Sequence, residues 1–213
     1  MVVADEQTEG RGSRGRTWRA PKGGAWVSVV VRPTSSEGVA LLSLRVGLVV
    51  AETLGRWMET GSVEPQLKWP NDLMVDARKL GGVLCEARWQ GDQPSWVVVG
   101  IGVNVHNPVP ADVDPPAVRL ADLASALPTG PEVAQVLGCA VASVDTTSGT
   151  LDVTERARFE ARDWMRGRDV SLGGGIQGRA DGVSPDGRLR VLVTTPEGTD
   201  RVSFLTAPVG ICP

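Results

Sequence analysis

The sequence predicts an α+β fold, and three observations carry that reading. Ala25–Val31 is an unbroken apolar, β-branched run closed by Pro33, the pattern of a buried strand. Leu41, Leu44, Leu48, Ala51 and Trp57 or Met58 then recur at helical spacing through about residue 59, giving one apolar face. Beyond them, short apolar runs separated by tight turns give way to two helical stretches and a β-rich end.

Each element has a local cause. Ser35 or Ser36 can cap the long helix, with Glu37 in its first turn complementing the macrodipole. Gln66 to Trp69, Leu73 to Val75, Lys79 to Trp89 and Trp96 to Val105 read as antiparallel strands. Asp76-Ala77-Arg78 and Gly91-Asp92-Gln93-Pro94 punctuate them. Residues 107 to 118, rich in Pro and Asp, are expected to be an irregular surface loop. Pro131 to Val144 and Val153 to Arg166 are expected to be helices, the second an exposed, charged connector. After it come Asp169 to Leu172, Ile176 to Gly182, Leu189 to Thr194 and Thr199 to Phe204. Gly173-Gly174-Gly175, Pro185-Asp186-Gly187 and Pro196-Glu197-Gly198 separate these runs, a pattern that fits a small β-barrel module. The boundary falls between residues 166 and 167.

Composition narrows the function classes. The chain has 213 residues and a net charge of -3, with a pI near 5.3, which argues against broad phosphate-driven binding to nucleic acid. No apolar run reaches the length of a membrane span, the best candidate, Val39 to Leu54, being interrupted by Ser43, Arg45, Gly47 and Glu52. The first residues lack a basic region followed by an apolar one, so a cytoplasmic protein is expected. Cys85, Cys139 and Cys212 are an odd number and far apart, matching neither a disulfide framework nor a zinc site. Of 22 basic residues only Lys22, Lys68 and Lys79 are lysines, so a lysine here marks a place where an ammonium is wanted.

Four stretches carry chemistry. In Gly10-Arg11-Gly12-Ser13-Arg14-Gly15-Arg16-Thr17-Trp18, glycines let the backbone approach a ligand and the arginines suit phosphate. Taken alone, it could equally be an Arg-Gly-rich tail. Lys68-Trp69-Pro70-Asn71-Asp72 puts an ammonium, an amide and a carboxylate at a strand end, where a plain Pro-Asn-Asp turn is the simpler reading. Arg78-Lys79-Leu80-Gly81-Gly82-Val83-Leu84 starts a strand with two glycines where another backbone or a ligand can come close. Val99-Gly100-Ile101-Gly102-Val103-Asn104-Val105 suggests backbone lying under a flat ligand, with Asn104 reading its edge. The single histidine, His106, reads as structural, and no nucleophile elbow or metal-ligand spacing is present.

In this order the four stretches resemble the biotin–protein ligase family, over nearly the whole chain. The resemblance implies a mixed β-sheet flanked by helices, a class II synthetase-like biotin/lipoate ligase core, followed by an SH3-like barrel. It implies that biotin and ATP form biotinyl-5′-AMP and pyrophosphate, and that the biotinyl group then passes to a lysine of a biotin carboxyl carrier domain. Matched to the family's motifs, Gln7, Arg11, Gly12, Ser13 and Lys79 would bind biotin. Arg14, Arg16, Trp18, Asn71 and Asn104 would bind ATP, Mg²⁺ arriving with the nucleotide. Lys79, Arg16 and Asp72 would carry the chemistry, with Asn71 and Asp72 either orienting the nucleotide or approaching the acceptor lysine. Ser13 stands where the family often has arginine. Family members also carry a preceding segment with a Ser/Thr-Thr-Asn motif. Met1 to Asp5 begin inside the strand leading to Gln7, so the resemblance implies an N-terminally short chain. Nucleic acid and membrane are not expected partners, and a homodimer is left open. A lipoate–protein ligase, or a remnant that binds nucleotide or acceptor without turnover, are the alternatives.

Overall fold

The computed structural model describes all residues except 59–63, 173–175, 196–197, 205–208 and 212–213. The triple-glycine separator, Pro196-Glu197, Cys212 and the expected helix end near residue 59 lie outside the described residues. Six strands form one sheet in the order β1-β2-β6-β5-β4-β3. In chain order they are β1 (Val2–Ala4), β2 (Ala25–Val31), β3 (Gln66–Lys68), β4 (Asp72–Val75), β5 (Arg78–Gln90) and β6 (Gln93–Val103).

Every neighbouring pair in this sheet is antiparallel. The expected mixed sheet is therefore corrected to an antiparallel one. The reason lies in the connections: β3 to β4, β4 to β5 and β5 to β6 are joined by two or three residues each, too few for anything but a reversal of direction. Parallel pairing among the described residues is confined to the isolated bridges Leu67–Asp163 and Lys79–Ala117.

α1 (Ser36–Gly55) begins where the sequence places it, the Ser35 hydroxyl accepting the Gly38 N–H at 3.2 Å. It is long and apolar enough to cross a membrane, yet 67% of its apolar window is buried within the fold. α1 and α2 (Gly130–Ala140) cover one face of the sheet. Leu41, Leu42, Val46, Val50 and Leu54 of α1 are wholly buried there, together with Val97, Val99 and Val103 of β6.

One charge sits inside this core. Arg45 is 3% exposed and pairs with Glu155 at 2.7 Å while donating to the carbonyls of Asp145, Ser148 and Thr150. An interior guanidinium with all these acceptors pins the 145–155 connector against α1. The helix after it, α3 (Val153–Glu160), is shorter than expected. Residues 161–166 instead follow the edge of β3, Leu67 bonding Arg162 and Trp164 through backbone groups. That path buries Trp164 and Met165, and apolar burial outweighs the helical tendency of the charged residues around them.

The chain ends in a second, five-stranded antiparallel sheet of order β10-β9-β8-β7-β11. Its strands are β7 (Asp169–Leu172), β8 (Ile176–Val183), β9 (Leu189–Thr195), β10 (Gly198–Phe204) and β11 (Val209–Ile211). Val170, Ala180, Val183, Leu189 and Val191 join the same buried cluster as α1 and the first sheet.

Candidate active site

Strand alternation sends every second side chain to the sheet face away from the helices. There Trp26, Gly102 and Gly82 lie in one cross-strand row, and Ser28, Gly100 and Leu84 in the next. These residues floor a cavity of about 760 Å³, within the range of small-molecule sites. The glycines do two jobs. A Cβ on Gly81 would meet the Gly102 carbonyl oxygen at 2.4 Å, so that glycine lets two strands approach. A Cβ on Gly100 would meet only Leu84, at 3.5 Å or more, so its missing side chain leaves floor space open.

Of the residues singled out in the sequence, Gln7, Arg11, Gly12, Ser13, Arg16, Trp18, Asn71, Asp72, Lys79 and Asn104 all line this cavity. Arg14 does not; it is exposed, at a left-handed φ of 60°. The Gly10–Trp18 stretch is an ordered loop closed on itself: Trp18 N–H donates to the Gly10 carbonyl at 2.8 Å and Gly12 N–H to Arg16 at 2.7 Å. Within it the Arg16 guanidinium reaches the Ser13 hydroxyl at 3.0 Å. Arg11 pairs with Glu86 at 3.3 Å, an exposed pair of little energetic weight.

Trp18 lies over Gly102, where a Cβ would sit 2.9 Å from its Nε1. That Nε1 is buried and has no hydrogen-bond partner among the described residues. Beside the ring, 5.3 Å from its centroid, stands the Lys79 ammonium. The same ammonium is held 2.6 Å from Asp72 Oδ1, both side chains less than a fifth exposed. A partly desolvated cation fixed by a carboxylate on one side and an aromatic face on the other is an oriented point charge facing the cavity.

The strand end is clamped as well. Asn71 donates its side-chain amide to the Val83 carbonyl at 2.8 Å and accepts the Val83 N–H through its own carbonyl at 2.9 Å. Lys68, the remaining lysine of these motifs, lies over Trp164 at 5.2 Å. Burial pushes its pKa down, a shift that Lys79 and Arg16 deepen and Asp72 opposes. Asn104 is buried, its amide oxygen accepting from Asn107 at 3.0 Å.

His106 is exposed and meets the Pro128 carbonyl at 3.0 Å, a structural contact outside the cavity. Cys85 is a free thiol whose pKa burial raises to about 12, an unreactive state. Among the described residues no three His, Cys, Asp or Glu side chains gather as a metal site. The sequence missed one wall. The 107–118 loop is irregular as expected, yet Pro110, Val113, Asp114, Pro115 and Ala117 line the cavity. It is docked there by backbone bonds to both sides of Lys79.

Known proteins resemble this chain in sequence and in fold. The model of the biotin/lipoate A/B protein ligase family matches residues 1–104. The biotin–[acetyl-CoA-carboxylase] ligase of Mycobacterium tuberculosis is 38% identical over 142 residues, 64% of this chain and 50% of that protein. The bifunctional ligase/repressor BirA of Bacillus subtilis is 34% identical over 129 residues, 60% of this chain and 38% of that protein. The chain thus spans half or less of the length of these curated relatives. The biotin protein ligase of Aquifex aeolicus, solved in complex with biotin and ATP, superimposes with a TM-score of 0.78 at 27% identity, covering 99% of this chain and 88% of that one. Residues 1–104 thus match the biotin/lipoate A/B protein ligase family model, and 99% of the chain is similar in fold to a biotin protein ligase.

Proposed function

We propose that this chain joins biotin to ATP, forming biotinyl-5′-AMP and pyrophosphate, and then transfers the biotinyl group to one lysine of a biotin carboxyl carrier domain. The observation that carries the reading is the Lys79 ammonium, held by Asp72 at 2.6 Å over the glycine floor of a ligand-sized cavity.

In the first step a biotin carboxylate oxygen forms a bond to the α-phosphorus while the bond to pyrophosphate breaks. Negative charge crowds the carboxylate and the α-phosphate, and Lys79 supplies a preorganised counter-charge there. Arg16 offers its guanidinium fork to the phosphates, and Arg14, exposed in the same loop, adds positive charge nearby. Arg11, Gly12, Ser13 and Gln7 close over biotin and keep water from the reactive mixed anhydride. Trp18 packs against the nucleotide, and Asn104 and Asn71 present amides to it. In the second step the acceptor amine bonds to the acyl carbon, the bond to AMP breaks and the amine loses a proton. Asp72 or Asn71 would approach the incoming lysine or orient the nucleotide.

Mg²⁺ would arrive with the nucleotide and neutralise phosphate charge. The cavity's Asp72 and Asn71 can contribute oxygen ligands, phosphate and water supplying the rest. We read the second sheet as an SH3-like barrel starting at residue 167, residues 1–166 as the catalytic domain, and the setting as cytoplasmic.

The test is transfer itself. The chain is incubated with biotin, ATP, Mg²⁺ and an isolated carrier domain, and the product is read by mass spectrometry. One biotinyl group on one carrier lysine, dependent on both biotin and ATP, is the expected result. An unmodified carrier beside a folded chain contradicts the proposal, and lipoyl transfer in its place would assign the lipoate branch.

A further inference from the structure

The cavity is built on the first sheet, yet one of its supports comes from the second. The β8–β9 turn, residues 184–188, is a closed unit: Gly187 N–H donates to the Ser184 carbonyl at 2.9 Å and Ser184 N–H to Arg188 at 2.8 Å. Gly187 has a φ of 77°, and a Cβ there would stand 2.3 Å from Leu41 of α1, so the turn is wedged against the core helix by a residue that must be glycine. From that position its carbonyl accepts the Trp69 indole N–H at 3.0 Å.

Trp69 is 4% exposed and does not line the cavity. The three residues after it are each tied down in turn. The Pro70 carbonyl accepts the Ser43 hydroxyl at 3.3 Å, Asn71 is doubly bonded to Val83, and Asp72 holds Lys79 at 2.6 Å. A buried indole N–H needs an acceptor, and here the acceptor belongs to the other sheet.

We propose that Trp69 is a positioning residue, through which the β8–β9 turn of the second sheet sets the Asp72–Lys79 pair in the cavity. This deepens the proposed ligase reading and rests on it for its kinetic consequence. An interface three residues from the pair fixes where the Asp72 carboxylate stands. Misplacement on the ångström scale costs reactions of this kind one to two orders of magnitude.

Trp69→Phe in the full chain removes the donor and keeps most of the apolar volume. The expected result is a fall in kcat for biotin-dependent pyrophosphate release of about tenfold or more, with KM for biotin within about twofold. An independent readout follows the pair directly. Limited acetylation with acetic anhydride, read by peptide mass, compares the three lysines, Lys22 serving as the internal standard. Lys79 is expected to label several-fold faster in Trp69→Phe, because its ammonium is less firmly held. Ser184→Ala, which loosens the turn from its rim, should move Lys79 labelling in the same direction by a smaller factor, and it keeps the test open if Trp69→Phe does not fold. Unchanged Lys79 labelling in the folded variants, or a lowered melting temperature with kcat intact, would make Trp69 a structural anchor only and overturn the inference. A wild-type chain that releases no pyrophosphate would sink the ligase reading instead, while the labelling ratio would still decide the coupling.

Discussion

The two faces of β6 are made by the same eleven residues and have opposite fates. Val97, Val99, Ile101 and Val103 are at most 2% exposed beneath α1 and α2, whereas Val98, Gly100 and Gly102 turn to the cavity. The first set fills the core, while in the second Gly100 leaves floor space open and Gly102 admits the Trp18 ring. Stability and ligand recognition are thereby separated by a single residue step, because the strand period is two. Substitutions one position apart should therefore fail in different ways.

The largest expected effect belongs to the cavity face. Lys79→Ala should lower biotin-dependent adenylation by about 10²–10³-fold, the loss seen when one preorganised charge or donor is removed from a reacting centre. Its circular dichroism and melting should remain close to wild type. On the core face, Val99→Ala removes two methyl groups from a fully buried site and should cost about 2–3 kcal/mol in urea denaturation. Its neighbour sharpens the contrast. A Cβ at Gly100 makes only ordinary van der Waals contact with Leu84, so the stability of Gly100→Val should stay within about 0.5 kcal/mol. Biotin or nucleotide affinity, measured by calorimetry, should still drop at least about tenfold, since the added side chain takes up ligand volume.

A smaller effect tests the joint between the two sheets. Asp163 Oδ1 accepts the Met165 N–H at 2.9 Å, while Oδ2 is buried without a hydrogen-bond partner among the described residues. Burial raises its pKa from 3.8 to about 6, backbone bonds to Met165 and Arg166 opposing the shift. The folded state thus prefers the protonated form. Its contribution to stability is present below about pH 4 and lost as pH rises through about 6. Asp163→Asn should abolish this dependence, so its stability relative to wild type should rise by about 1–3 kcal/mol between pH 4 and pH 8. Parallel pH profiles of the two proteins would contradict the assignment. Smallest of all, Arg16→Ala should weaken adenylate retention by a few-fold more than biotin binding, because its phosphate partner exists only once ATP is present. Equal losses in calorimetry would remove Arg16 from that role.

Much of this was legible in the sequence, and the reasons differ by element. Ala25–Val31 was readable to the residue because β-branched runs ended by a proline leave little choice. The Val-Gly-Ile-Gly alternation at residues 99–102 pointed to a ligand floor, since glycines between aliphatic residues leave one face of a strand without side chains. The lysine bias drew attention to Lys79. What the sequence hid were partnerships that depend on distant chain segments. Arg45 interrupts an apolar helix on paper, yet it meets acceptors from 145 to 155 that only the fold delivers. Trp164 and Met165 sit in a charged stretch that looks helical and exposed, and their burial follows from docking on β3. The carbonyl that receives Trp69 lies 118 residues away, beyond any local pattern.

We propose that the glycine-floored face, with Lys79 at its edge, is a biotin-activating site. The most direct test is biotin- and ATP-dependent pyrophosphate release by this chain beside Lys79→Ala. Release by the wild type that requires biotin and is reduced about 10²-fold or more in the variant is the predicted result. A folded wild type that releases none, or a variant as active as its parent, would contradict it.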